Sequence, residues 1–324
     1  MICTRLVSAA IAIGLLAQAA GSAYSQSYPE RPIKLVVPFP AGGASDTAAR
    51  LVAQRLQASL GQPVVIENQA GAGGTIGTRQ VAGAAPDGYT LLLASIGTFG
   101  SQPLLYKLDF DPNKAFAPVA TVTVDKLVLV AGPSLQAKTI VELVQRAKAV
   151  PGKLNYGSAI GIGPHLVMEL FKTRSGTDIV HIPYRGGAPM ISDVIAGQID
   201  VTINGKSVLL PHIQAGKLRA LAVTAAQRWR EFPEVPTFIE AGYLNAPYDT
   251  LFGIVAPAGT PTTVIERLNA TINDGLRSPE MRASLAELGI EPVVTTPAEF
   301  EAIIAREIPK WAEIVRTTGV KVAD

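Results

Sequence analysis

Short apolar runs that alternate with helical patterns constrain the fold of this chain more than any other feature of its sequence. Residues 33–38, 63–67 and 89–94 are each apolar over only a few positions, which is typical of strands buried on both faces. Helical patterns fill the intervals between them, at 45–60 and 75–84. This alternation predicts an α/β protein with a mainly parallel sheet and helices on both of its sides.

The alternation continues through the middle of the chain and gives way to helices near its end. Strands are predicted at 126–131, 154–157, 179–183, 201–203, 218–224 and 252–256, with helices at 139–149, 163–176 and 187–196. In the last third, Thr260, Ser278 and Thr296 each precede a proline. Each hydroxyl is predicted to cap a helix that begins at that proline, and Glu299 completes a capping box with Thr296.

Two stretches near 116–124 and 242–250, rich in proline and glycine, are the predicted hinges. They would make the middle of the chain a domain that is inserted into another. The predicted division is a first domain over 26–122 and 250–324 and a second, inserted domain over 123–249. A chain of 324 residues is long enough for two such domains.

Residues 1–25 have the pattern of a secretion signal. Arg5 supplies the positive start, residues 6–20 are apolar, and small residues allow cleavage after Ala23 or after Ser25. The apolar run is shorter than the ~20 residues that cross a bilayer, and Gln18 interrupts its far end. A cleaved signal is therefore favoured over a membrane anchor, and we expect an exported, soluble protein.

Composition excludes several classes of protein. With 28 basic and 26 acidic side chains the net charge is +2, which argues against a nucleic-acid binder that works by neutralising phosphates. The single cysteine, Cys3, lies in the signal segment, so a disulfide scaffold and a cysteine nucleophile are excluded from the mature chain. The histidines lack metal-ligand spacing, and dinucleotide, P-loop and hydrolase signatures are incomplete. We therefore expect no cofactor and no enzyme activity.

Three glycine-rich loops, at 38–46, 71–77 and 157–165, lie between predicted strands and helices. A helix start leaves amide N–H groups unpaired, and a carboxylate or phosphate is their natural guest. Taken singly, each loop is better explained as an ordinary turn. Asp46 has two interpretations, support of its helix or a bond to a ligand. Arg185 and Lys206 are either solvated charges or clamps for a carboxylate.

Several long motifs resemble the Bug receptors, which are the periplasmic solute-binding proteins of tripartite tricarboxylate transporters. The motifs are YPERPI at 28–33, VVPFPAGG at 36–43, APDGYT at 85–90, HIPYRG at 181–186 and GKLRALAVT at 216–224. The resemblance covers the whole mature chain. It implies a type 2 periplasmic-binding-protein fold, in which two α/β domains close over a small carboxylate held largely by backbone amides and waters.

The resemblance, together with the loops, gives a set of candidate ligand-binding residues on both sides of a cleft. They are Phe39, Ala41, Gly42, Gly43, Ser45, Asp46, Ser95, Thr98, Ser158, Gly161, Gly163, His165, Tyr184, Arg185, Gly186, Gly187, Asn204 and Lys206. Two segments near the expected pocket depart from the usual pattern, at 159–160 and 204–206. The ligand is therefore expected to be atypical, and Lys206 would add a positive charge for a second carboxylate.

The expected function is the capture of a small carboxylate by domain closure and its delivery to membrane subunits of a transporter. The protein is expected to act as a monomer. Two alternatives stay open at the level of sequence: a ligand-sensing subunit for a membrane signalling partner, and an enzyme on the same scaffold. The identity of the ligand is open too, and it includes a neutral amide or an aromatic acid.

Overall fold

The computed structural model describes residues 28–322 with the exception of Leu288. The predicted signal segment, with both cleavage points and Cys3, lies outside the described residues. The strands are β1 Ile33–Val37, β2 Val64–Asn68, β3 Thr90–Ser95, β4 Phe116–Asp125, β5 Leu127–Ala131, β6 Asn155–Ser158, β7 Val180–Pro183, β8 Val201–Gly205, β9 Arg219–Val223, β10 Thr250–Pro257 and β11 Glu291–Pro292.

Helices separate these strands along most of the chain. They are α1 Ala44–Leu60, α2 Thr75–Ala82, α3 Ile96–Gly100, α4 Gln102–Leu105, α5 Pro112–Ala115, α6 Ile140–Ala149, α7 Gly163–Ser175, α8 Gly187–Ile195, α9 Lys206–Gln214, α10 Thr262–Arg277, α11 Pro279–Glu287 and α12 Pro297–Thr318. Within the described residues, no helix is both long and apolar enough to span a bilayer.

The strands form two sheets, each of which is the centre of one lobe. The first sheet has the order β11-β4-β10-β3-β1-β2, and the second has the order β7-β6-β8-β5-β9. We call the parts of the chain built on them the first lobe and the second lobe. The predicted α/β class is confirmed, and the two lobes correspond to the two domains of the periplasmic-binding-protein fold.

The prediction of mainly parallel sheets is wrong, because both sheets are mixed. Strand β1 pairs in parallel with β2 and β3, but β10 runs antiparallel to both of its long neighbours, β3 and β4. In the second sheet β5 runs antiparallel to β8 and β9. The physical reason is the crossing of the chain between the lobes. The first strand after each crossing, β5 in the second lobe and β10 in the first, enters its sheet from the opposite end to the strands built by helical crossovers.

The predicted hinge near 116–124 is also wrong as a local structure, since Phe116–Asp125 is a ten-residue strand inside the first sheet. Its valines and threonines suit a pleated, buried surface. Pro118 is tolerated because it lies opposite Val255, next to a shift of register in β10. The chain crosses to the second lobe at Lys126. The predicted domain limits lie near this crossing and near the start of β10, and they stay a prediction.

Two of the three predicted helix caps are confirmed. Thr296 accepts a hydrogen bond from the amide of Glu299 at 3.2 Å, and the Glu299 carboxylate accepts one from the amide of Thr296 at 2.8 Å, as in a capping box. Ser278 accepts one from the amide of Met281 at 3.2 Å. The cap at Thr260 is wrong, because its hydroxyl donates to the carbonyl of Pro257 and α10 begins only at Thr262.

Helix α12 ties the two lobes together at the back of the fold. Phe300 is buried against Gly253 of β10 in the first lobe. Further along the same helix, the buried ring of Trp311 packs against Gly163 at the start of α7 in the second lobe. The hydrophobic cluster around these rings continues from one lobe into the other. The packing of α12 thus connects the two lobes.

We predict that Gly253→Ala lowers the free energy of unfolding by about 1–3 kcal/mol, because a methyl group there overlaps the ring of Phe300 and presses on the carbonyl of Ala120. Gly83→Ala is the matched control, since its nearest neighbour would be 3.7 Å from the new methyl group. Urea unfolding of both variants measures the difference. Equal stabilities would show that β10 and α12 are not packed as described.

Candidate ligand-binding cleft

A cavity of about 100 Å³ lies between the two lobes. This volume has room for roughly seven to ten groups of the size of a water molecule, which suits a small metabolite and excludes a polymer. The first lobe lines it with Phe39, Pro40, Gly43, Ala44, Ser45, Ser95, Asp125, Thr250 and Phe252. The second lobe lines it with Leu127, Ser158, Ala159, Ile162, Gly163, Pro164, Arg185, Gly186, Gly187, Met190, Ile203, Asn204 and Gly205.

Asp46 shapes the first wall of the cavity from behind. Its carboxylate accepts hydrogen bonds from the amide of Gly42 at 3.1 Å, from Nε of Arg50 at 2.9 Å and from Nδ2 of Asn68 at 3.1 Å. Burial opposes ionisation, but these bonds outweigh it and hold the pKa of Asp46 below its usual value. Gly42 has φ = 83°, a conformation that favours glycine. The carboxylate therefore fixes the turn that brings Gly43 to the cavity.

A stack of two histidines shapes the second wall. Nδ1 of His165 accepts a hydrogen bond from the amide of Gly161 at 3.2 Å, and Nε2 of His181 lies 2.8 Å from the hydroxyl of Ser158. The two imidazole rings are 4.5 Å apart, and His181 also stacks on Tyr156. Burial, with the neighbouring His181, lowers the pKa of His165 to about 4, and burial lowers the pKa of His181. Both rings are therefore neutral at pH 7.

Three helices of nine or more residues begin at the cavity without a side chain that caps them. Gly43, Ile162 and Gly186 are the N-cap residues of α1, α7 and α8, and none of them makes a side-chain cap hydrogen bond. Two further helices begin there: the short α3 at Ser95, also without a cap, and α9 at Gly205, where the amide of Ser207 donates to Asp125. Away from the cavity, α6 and α12 are capped by Thr139 and Thr296, whereas α2 and α10 have no capping side chain. Unpaired amides and the positive ends of the helix dipoles thus face the cavity from both lobes.

The structure brings ten of the predicted residues to the cavity wall. They are Phe39, Gly43, Ser45, Ser95, Ser158, Gly163, Arg185, Gly186, Gly187 and Asn204. Ala41, Gly42, Asp46, Thr98, Gly161, His165, Tyr184 and Lys206 do not line it. Several of these eight support the wall instead: Asp46 and His165 hold the two loops, and the hydroxyl of Tyr184 donates to Asp193 at 2.5 Å.

Lys206 is placed differently from the expectation that it supplies a charge to the ligand. Its ammonium lies 2.8 Å from Glu231 and 4.9 Å from the ring centre of Trp229. The side chain of Lys206 is buried, and its carbons pack against Gly289. The partner lies 25 positions further along the chain, so no local pattern announced it.

Sequence reasoning missed two polar residues of the wall, Asp125 and Thr250. They lie directly opposite each other on β4 and β10. Asp125 directly follows the segment 116–124 that is predicted as a hinge, so no strand end was expected there. In the described residues no three acidic or histidine side chains are grouped as metal ligands.

Comparison with known proteins places this cleft in context. Residues 48–320 match the family described as "Tripartite tricarboxylate transporter family receptor". The chain is similar to the protein BugT of Bordetella pertussis, with 41% identity over 98% of either chain.

Three solved structures are also similar to this chain. A protein of R. palustris that was solved with adipate is 36% identical, with a TM-score of 0.87 over 91% of this chain and 99% of that one. The periplasmic binding protein BugD is 36% identical, with a TM-score of 0.86 over the same shares. MatC of Rhodopseudomonas palustris, solved with bound malate, is 32% identical, with a TM-score of 0.83 over 89% of this chain and 100% of that one.

The buried imidazole of His165 should make stability depend on pH. Because its pKa is lower in the folded protein than in the unfolded chain, the unfolded chain takes up the proton first as the pH falls below 6.5. In the wild type, this ring should lower the free energy of unfolding by about 2 kcal/mol as the pH falls from 7 to 5. We predict that His165→Gln abolishes this part of the decrease. Urea unfolding at both pH values measures it, and identical pH slopes for variant and wild type would contradict the buried position of the ring.

Proposed function

The chain belongs to the tripartite tricarboxylate transporter receptor family, and from this membership we propose that it captures a small organic acid in the cleft between its lobes. The members of the family are periplasmic solute-binding receptors, and the similar solved structures are binding proteins and not enzymes. We further propose that the present chain is exported to the periplasm and hands its ligand to membrane subunits of a transporter.

The observation that carries the proposal is the set of uncapped helix starts at Gly43, Ile162 and Gly186. A carboxylate accepts hydrogen bonds from several amides at once, and each helix start contributes a favourable dipole. The hydroxyls of Ser45 and Ser158 offer further donors on the same wall. Arg185 brings a guanidinium to the rim, where it suits a carboxylate.

The similar structures support an organic acid with two carboxylates. One of them holds adipate and another holds malate. Both acids are of the size that the cavity admits, and both lobes here offer amides that are free to meet a carboxylate. The amides of the first lobe and those of the second lobe would then hold opposite ends of one ligand, or one carboxylate between them.

Closure of the lobes over the ligand is part of the proposal, and contacts at the mouth of the cleft support it. The hydroxyl of Tyr106 in the first lobe lies 3.4 Å from the carbonyl of Ile160 in the second. Gly186 approaches Pro40 so closely that a side-chain carbon there would lie 3.1 Å from the proline ring. A ligand that touches both lobes favours this closed arrangement, since a population shifts only towards the state that binds more tightly.

Calorimetry with a series of carboxylic acids tests the proposal. Protein freed of bound ligand by unfolding and refolding is titrated with mono-, di- and tricarboxylates of two to eight carbons. We predict that at least one dicarboxylate binds with a Kd in the micromolar range or below, and that Gly43→Val weakens it at least tenfold because the new side chain occupies the place of the carboxylate. Gly43 has φ = −95° and open space behind it, so the fold should tolerate the change.

Ala41→Val is the matched control, because it enlarges an exposed residue of the same loop that does not line the cavity. It should leave the affinity within about twofold of the wild type. The absence of binding by every acid of the series would overturn the proposed function. Equal affinities of Gly43→Val and Ala41→Val would show that the start of α1 is not the grip.

A further inference from the structure

One buried carboxylate in the cleft has no cation to balance it. Asp125 is 1% exposed, yet it lines the cavity at the end of β4. Its oxygens accept hydrogen bonds from the amide and the hydroxyl of Ser207, at 3.2 and 2.6 Å. Within the described residues, no lysine or arginine lies within ion-pair distance of it. A carboxylate has about four acceptor positions, so these bonds leave capacity for a further donor.

The nearest basic side chains are engaged elsewhere. Lys126, the next residue in the chain, pairs with Glu291 at 2.5 Å. Lys206, next to the partner Ser207, pairs with Glu231 at 2.8 Å. A second acid, the half-buried Asp249, adds negative charge close by and itself accepts a hydrogen bond from Thr224 at 3.0 Å. The inner end of the cleft is therefore negative, although its helix starts are positive.

The residue that lies against this carboxylate has to be without a side chain. A methyl group on Gly205 would overlap Oδ2 of Asp125, so only glycine fits opposite it. Burial raises the pKa of Asp125 to about 6 against the lowering effect of the Ser207 hydrogen bonds, and the group is mostly ionised at pH 7. A buried charge without a partner is unfavourable, so a ligand that brings a cation relieves it.

Two further polar residues, Thr250 and Asn204, line the cavity wall. The hydroxyl oxygen of Thr250, directly opposite Asp125 on β10, is buried and makes no hydrogen bond. Asn204 uses its amide oxygen on the backbone of Gly205, while its Nδ2 points towards Gly187. These groups and Asp125 together form a polar corner that the helix starts at Gly43 and Gly163 do not explain.

We propose that this corner selects organic acids that also carry a protonated amine, with Asp125 accepting the ammonium group and the uncapped helix starts holding the carboxylate. The proposal rests on the proposed function and deepens it by naming the class of ligand. Such a ligand is amphoteric, of the amino-acid type. A plain dicarboxylate would leave the charge of Asp125 unbalanced, and a hydroxyl group in place of the amine would meet it with a neutral donor only.

The test compares acids that share one carbon skeleton and differ in one substituent. Sets with four, five and six carbons are succinate, malate and aspartate; glutarate, 2-hydroxyglutarate and glutamate; and adipate, 2-hydroxyadipate and 2-aminoadipate. In the set that binds best, calorimetry at pH 8 should give the amino member an affinity at least tenfold above that of the plain acid, with the hydroxy member between them.

Asp125→Asn should abolish this preference, because the amide keeps an acceptor for the amide of Ser207 but carries no charge. The amino member should lose at least tenfold in affinity, and the plain acid should bind as well as before or better. Asp249→Asn is the matched control: it removes a neighbouring, half-buried acid that does not line the cavity. It should change the preference by less than threefold.

If Asp125→Asn does not fold, the pH dependence of ligand binding by the wild type tests the same proposal. In the wild type, the preference for the amino member should shrink as the pH is lowered from 8 to 5.5, since Asp125 takes up a proton near pH 6. The charged side chains nearest to Asp125 are those of Asp249, Lys126 and Lys206. Equal affinities of the plain and amino members at pH 8 would overturn the proposal and leave the proposed function intact, whereas no binding by any acid would overturn both.

Discussion

The amides that begin α1, α7 and α8 are the groups on which the rest of the site depends. They line one cleft from two lobes, and no side chain of their own helices caps them. Unpaired amides at a helix start, with the positive end of the helix dipole behind them, attract an anion. An anion in the cleft would therefore be stabilised by donors from each lobe. Neither lobe alone encloses the ligand.

The residues behind the wall explain how flexible glycine loops keep a defined shape. In the first lobe the carboxylate of Asp46 binds the amide of Gly42 and is held by Arg50 and Asn68. In the second lobe the imidazole of His165 binds the amide of Gly161. Both groups act on the backbone from the side that faces away from the cavity. This arrangement leaves the cavity side of each loop free for the ligand.

The sequence predicts the parts of this fold that are local, and it misses those that depend on distant partners. Apolar runs give the strand positions, and Thr296 with Glu299 marks a helix start, because both signals lie within a few residues. The direction of β5 and β10 could not be inferred, since it depends on where the chain crosses between lobes. The pairing of Lys206 with Glu231 and the burial of Asp125 beside Ser207 are set by tertiary contacts. The role expected of Lys206 stays a prediction, although the ion pair with Glu231 places its ammonium away from the cavity wall.

A crystal structure of the protein with its tightest-binding acid would show directly whether backbone amides of both lobes hold the ligand. We expect the oxygens of one ligand carboxylate to lie within about 3.2 Å of backbone nitrogens at the starts of α1 and of α7 or α8, so that both lobes hold the same molecule. A carboxylate held by Arg185 alone at the rim, with those backbone nitrogens bound to other groups, would contradict it.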